Sequence, residues 1–187
     1  MAISLSTSDL FIGATSERNT KDLLTRESEY EGIRGYLFFR KNLEKGYASL
    51  YNADVIRHVL NKMHLLLEDA WEIASFNTCK EVRILPITEA LSGSTMGDEE
   101  NLYIITNIEH FKGASAAFFR TVLEKFADEH NTREIAVLPS SIDEMLLVPH
   151  PEKVGDKHLL NDLVKSVNKA DLTPEEFLSD QAYFVKF

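Results

Sequence analysis

Cysteine is nearly missing from this sequence: Cys79 is the single one. One thiol cannot close an intramolecular disulfide, so the fold must rest on packing alone. Cys79 ends an apolar helical run (Trp71, Ile73, Ala74, Phe76), where a buried inert thiol is the plain reading. Long apolar stretches are missing too, and none approaches the roughly 18 residues that a membrane span needs. The opening Met-Ala-Ile-Ser-Leu-Ser has neither the basic cluster nor the apolar core of a secretory leader. A cytoplasmic protein with no membrane partner is expected. Positive charge is the third shortage: 20 Lys plus Arg face 30 Asp plus Glu, a net charge of −10. That field repels phosphate backbones, and the most basic stretch, residues 34–45, mixes both signs. No nucleic-acid partner is expected.

What the chain does have is apolar mass. Hydrophobic residues make up 44% of 187 positions, enough for one sizeable core or for two small packed units. Residues 10–14 read as a short strand. A polar helix is expected over 16–28, with Leu23 and Leu24 facing inward. Residues 35–40 and 46–51 are aromatic-rich and read as a hairpin joined by the charged link 41–45. Asn52 reads as a helix N-cap, with Asp54 in the first turn. Ile56, Val59, Leu60, Met63, Leu67, Ala70, Trp71 and Ala74 then recur at three- and four-residue steps, predicting one long helix that ends near Thr78. Residues 82–87 read as a strand. The small and acidic residues of 88–100, centred on Ser92-Gly-Ser-Thr-Met-Gly, predict a mobile loop that divides the chain into halves 1–90 and 101–187.

The second half repeats the grammar. Strands are expected at 102–107, 134–139, 144–149 and 182–187, with helices at 114–129 and 156–169. Thr173-Pro-Glu-Glu176 reads as a capping box that opens a short helix to about Leu178. Each half thus reads β-α-β-β-α-β, the ferredoxin-like order. Leu10-Phe-Ile echoes Leu102-Tyr-Ile. The expected fold class is α+β, a single 187-residue protein built of two packed ferredoxin-like halves, a candidate topological duplication.

Catalytic signatures are scarce. His64 and Glu68 are four apart on the expected helix and could give two metal ligands, but two ligands do not make a site. The other histidines have no metal-ligand spacing, so neither metal nor cofactor is expected. Ser140, Ser141, Asp143 and Glu144 place hydroxyls beside carboxylates in a tight turn. A nucleophile there would need a general base and an oxyanion site, which the sequence does not identify. Turn formation alone explains the same residues. Gly113-Ala-Ser115 follows a strand and precedes a helix, yet no P-loop or dinucleotide fingerprint surrounds it. The strands beginning near 102 and 144 are expected to run parallel. That geometry would gather Thr106, Asn107, His150 and Asp180 at one edge as a candidate ligand site, with 140–143 at the other.

Several stretches together resemble the domain-of-unknown-function family DUF5688 of gut Firmicutes. The closest are Leu138-Pro-Ser-Ser-Ile-Asp-Glu-Met-Leu-Leu-Val-Pro149, Val164-Lys-Ser-Val-Asn168 and Pro174-Glu-Glu-Phe-Leu-Ser-Asp180, with Ala74 to Thr78 and Gly113-Ala-Ser-Ala-Ala in support. The resemblance spans most of 10–187. It implies a bacterial protein and brings no established activity. It also implies His at the positions held here by Asp143 and Gln181, which removes the natural acid–base or metal candidates. The expected function is a non-enzymatic binding or protein-interaction module, with Tyr36, Tyr47 and Tyr51 as candidate partner contacts, although core packing of alternate ones is the stronger expectation. The alternatives are a hydrolase using the Ser140/Ser141 turn, and a small-molecule sensor.

Overall fold

The structure, a computed structural model, describes residues 4–44, 46–90 and 101–187. Strand β3 (Ile33–Asn42) is the spine of the first sheet; β1 (Leu10–Ser16) runs antiparallel along one side of it, with Leu10 opposite Phe39 and Ser16 opposite Ile33. Two short strands share the other side: β2 (Thr25–Glu27) pairs with residues 34–36, and β4 (Tyr47–Leu50) with residues 39–42. Side chains alternate across a strand, so β3 sends Leu37 and Phe39 to one face and Tyr36 and Phe38 to the other. All four are buried, because both faces are covered. On the Leu37 face, helices α1 (Ala53–Lys62) and α2 (Leu67–Lys80) pack Ile56, Leu60, Ala70, Trp71 and Ala74 onto the sheet. On the other, Phe11, Tyr36 and Phe38 meet Leu23 and Phe111.

The expected single helix is therefore two. Asn52 caps α1 as predicted, its side-chain oxygen accepting from the N–H groups of Asp54 and Val55 at 3.1 and 3.2 Å. The helix then stops at His64, which adopts the left-handed conformation (φ 54°). The Leu65 N–H donates to Leu60 O at 3.0 Å, and the His64 N–H to Asn61 O at 3.1 Å. That pairing is a Schellman motif, with Leu65 and Leu60 packed in one cluster. It turns the chain so that both apolar stripes land on the sheet. His64 and Glu68 consequently share no helical face, and Glu68 pairs with Arg26 instead. The expected polar helix over 16–28 is also absent; only Glu17–Asn19 forms a 3-10 turn. Its backbone is committed elsewhere. Leu24 O accepts from the Leu37 N–H at 3.0 Å, and Asp22 O from the Ala53 N–H at 2.7 Å.

The second sheet has the order β5-β6-β8-β7-β9 and is antiparallel throughout. Its strands are β5 (Val82–Pro86), β6 (Tyr103–Asn107), β7 (Glu134–Pro139), β8 (Met145–Val148) and β9 (Tyr183–Lys186). One face is covered by the 3-10 segment Gly113–Phe118 and by α4 (Arg120–Glu129), the other by α6 (Lys157–Asp171). Helices α3 (Ile87–Ala90) and α5 (Pro151–Val154) are single turns. Residues 91–100, most of the expected loop, lie outside the described residues. The Thr173–Glu176 capping contacts form: the Thr173 N–H and hydroxyl both reach the Glu176 carboxylate, at 2.9 and 2.8 Å. They close a turn rather than open a helix.

The fold is α+β, but not a ferredoxin-like duplication. The first half has no helix between its first strands. The second half keeps the order β-α-β-β-α-β, and β8 lies antiparallel between β6 and β7 as that motif requires, but β9 lies beside β7 and not β6. The place next to β6 is taken by β5, with Val82 opposite Asn107. Consecutive strands most often pair with each other, and here that preference carries β5 out of the first half. The halves also share a core, in which Ala14, Tyr30 and Ile33 pack with Leu123, Phe126 and Ile135. The 3-10 segment is the joint. Its Ser115 hydroxyl donates to Ile12 O at 2.6 Å, and Tyr30 donates to Ala117 O at 2.8 Å. The Arg40 guanidinium, stacked 4.1 Å above Phe11, adds a buried ion pair to Glu81 at 2.7 Å.

Candidate functional site

The antiparallel pairing of β6 with β8 rearranges the expected sites. It brings Thr106 and Asn107 against the turn 140–144 and sends His150 to the opposite end of β8. Thr106 donates from its hydroxyl to Asp143 O at 2.7 Å. Asn107 is fully occupied in shaping the loop after β6. Its Oδ1 accepts from the Glu109 and Phe111 N–H groups, and its Nδ2 donates to Phe111 O at 2.8 Å. His150 is paired with Glu152 at 3.2 Å, and Asp180 accepts from Asn168 Nδ2 at 2.9 Å. The four residues expected to form one ligand edge do not meet.

The serine turn is structural in its contacts. Ser141 Oγ accepts from the Asp143 N–H at 3.1 Å, and the Ser141 N–H donates to Glu144 O at 3.1 Å. Among the described residues no histidine is hydrogen-bonded to Ser140 or Ser141. Burial pushes the Glu144 carboxyl above the usual range, against an opposing pull from His110. Asp143 and Gln181, the two positions singled out by the resemblance, precede β8 and β9, and β7 lies between those strands.

Asp143 also anchors the loop that carries Lys112. Its Oδ1 accepts from the backbone N–H of Lys112 at 2.6 Å. Lys112 adopts a left-handed conformation (φ 52°), as does His110 (φ 51°) two residues earlier. This conformation costs a non-glycine residue on the order of 1 kcal/mol, and here the loop around Asn107 holds it. The Lys112 ammonium lies 5.4 Å from the ring centres of Tyr51 and Phe111 and 5.8 Å from that of Tyr36. Burial pushes its pKa down, and Asp143 opposes the shift in part.

This lysine opens on a cleft of about 360 Å³ between the turn after β1, the β6–α4 loop and the segment after α6. Arg18 and Lys21 reach it from the turn after β1, and Tyr36 and Tyr51 from the first sheet. Arg18 stacks 5.7 Å from the Phe177 ring and Asn19 Nδ2 donates to Pro174 O at 2.7 Å, so the segment after α6 forms one wall. Among the described residues, Arg18, Lys21 and Lys112 have no carboxylate partner within ion-pair distance, although Glu175 lines the cleft. Nothing hydrogen-bonds to the Tyr36 hydroxyl among the described residues. Burial raises the Tyr36 pKa far above the phenol range, which keeps it a proton donor.

Sequence reasoning missed Arg18, Lys21 and Lys112. The available signal was weak: Arg18 and Lys21 fell in an expected polar helix, and only Lys112 fell in an expected loop. Tyr36, Tyr47 and Tyr51 were candidates for partner contact or for core packing. Tyr36 is buried, Tyr47 stacks on Phe111 with 5.4 Å between ring centres, and Tyr51 is exposed beside Lys112. No group of three or more His, Cys, Asp or Glu among the described residues could hold a metal ion. No helix among them is long and apolar enough to cross a membrane.

No curated protein and no solved structure matches the chain. A family model does, over residues 45–186, so the match begins later than the expected residue 10. Tyr51, Lys112, Asp143 and Glu175 fall inside it; Arg18, Lys21 and Tyr36 fall before it. By that match the chain belongs to the family described as a family of unknown function, DUF5688.

Proposed function

We propose that the protein is a binding module for a small organic anion, held in the cleft between Tyr36, Lys112 and Arg18. One observation carries the reading: three cations without carboxylate partners line a single cleft in a chain of net charge −10. Other basic groups, Arg26, Arg34, Arg40 and Lys41 among them, do have acidic partners within ion-pair distance. Cations left unpaired around one concave, partly aromatic surface are complementary to an anion. The tyrosines supply ring faces for an apolar or planar body, and the cations fix its acid group.

The hydrolase reading of Ser140 and Ser141 has less support, because the Ser141 hydroxyl is engaged with backbone and, among the described residues, no histidine is hydrogen-bonded to it. A surface for a protein partner built on Tyr36, Tyr47 and Tyr51 also has less, since only Tyr51 is exposed. A cytoplasmic small-molecule sensor remains compatible with the cleft.

Isothermal titration with malonate at low ionic strength tests the proposal. A charge-assisted hydrogen bond is worth roughly 1.5–3 kcal/mol. Lys112→Met and Arg18→Met should therefore each weaken binding about tenfold or more, with an unchanged circular dichroism spectrum. Equal affinity in the wild type and both variants, or no binding by the wild type, would refute it.

A further inference from the structure

We infer that Lys112 is a nucleophilic amine that captures small oxo acids in the cleft as a Schiff base. The inference rests on the anion-binding reading and names the ligand class for the same site. Four observations support it. First, the Lys112 amine has no carboxylate partner among the described residues. The nearest acid, Asp143, has its Oδ1 on the Lys112 backbone N–H at 2.6 Å. Second, three ring faces surround the amine at 5.4–5.8 Å and displace its water. Loss of hydration disfavours the ammonium, consistent with the lowered pKa. The ring faces favour the cation and offset part of this, by roughly 0.5–2 kcal/mol. Third, the left-handed backbone at φ 52° fixes the origin of the side chain beside Tyr36 and Tyr51. A flexible surface lysine has no such constraint. Fourth, the two other unpaired cations, Arg18 and Lys21, line the same cleft and can hold an acid group while the carbonyl reaches Lys112.

The chemistry closes without an external oxidant or reductant. The neutral amine adds its lone pair to the carbonyl carbon, and the carbonyl electron pair moves to oxygen. A proton passes from nitrogen to that oxygen, giving a carbinolamine. The departing hydroxyl takes a proton from solvent and leaves as water as the nitrogen lone pair forms the C=N bond. The iminium nitrogen then returns a proton to solvent. The net change is condensation of amine and carbonyl with release of one water.

The test is borohydride reduction of the full chain in the presence of pyruvate, followed by peptide mass mapping. Hydride delivered to an imine leaves a stable N-carboxyethyl group on the lysine that formed it. The expected result is an adduct concentrated at Lys112, competed by malonate, with acetone labelling that position at least about tenfold less because it lacks the acid group. Lys112→Arg should abolish the adduct, since a guanidinium forms no imine. Labelling spread over exposed lysines to the same extent in wild type and Lys112→Arg would overturn the inference. Malonate binding with no Lys112 adduct would overturn it and leave the anion-binding reading standing. Loss of both would end the two together.

Discussion

Gly113 is the residue at which the second sheet and its turn come closest. A Cβ there would lie 2.4 Å from Thr106 Oγ1 and 2.7 Å from both Asn107 N and Asp143 O. Two of those three atoms are backbone and cannot rotate away. Gly113→Ala should therefore destabilise the fold by about 3 kcal/mol through overpacking. A urea midpoint unchanged from wild type would contradict this. The same three contacts tie Gly113 to the loop that carries Lys112. At this scale the sequence was informative about identity and silent about conformation. Gly113 was visible as a glycine between a strand and a helix. Nothing in Lys112 announced a left-handed backbone, because lysine ordinarily avoids it, and histidine, which adopts it more often, gives no local sign of doing so at His110. Asn107 was legible as a polar strand end. Its three hydrogen bonds to the loop depend on where Phe111 returns, which local pattern does not encode.

At the scale of elements, the α1–α2 pair shows where periodicity misleads. Met63 and Leu67 are four apart, so the apolar stripe runs through the break without losing phase. The stop is made by backbone hydrogen bonds around His64, not by a proline or glycine that could be read in advance. His64 holds a left-handed conformation that glycine would adopt without penalty. His64→Gly should thus raise stability by roughly 0.5–1 kcal/mol, the relief of strain being partly cancelled by greater freedom of the unfolded chain. A lower melting temperature in scanning calorimetry would show that the break is not set by that residue. The strands of the second half were legible because β7 and β8 are dense in Ile, Val, Leu and Met. Their partners were not. The neighbour of β6 on its outer side is β5, and that choice depends on the register Val82 to Asn107 rather than on any local pattern.

At the scale of the whole molecule, the cleft is a product of the joint between sheets. Arg18, Lys21 and Tyr36 come from the first sheet and its turns, Lys112 and Ile142 from loops of the second, and Glu175 from the segment after α6. Far apart in sequence, they could not be recognised as one site until the Gly113–Phe118 segment had packed against β1 and β6. The candidate edge of Thr106, Asn107, His150 and Asp180 failed for the complementary reason: it assumed parallel strands, and antiparallel pairing reversed one end. A ligand in this cleft should slow exchange in segments from both sheets at once. Amide hydrogen exchange read by mass spectrometry, with and without saturating malonate, measures that directly. Joint protection of residues 14–23, 108–114 and 172–177 is predicted, with the peptides of α2 and α4 unchanged. Protection confined to α2 and α4, or none at all under conditions where malonate binds, would contradict the assignment of the cleft.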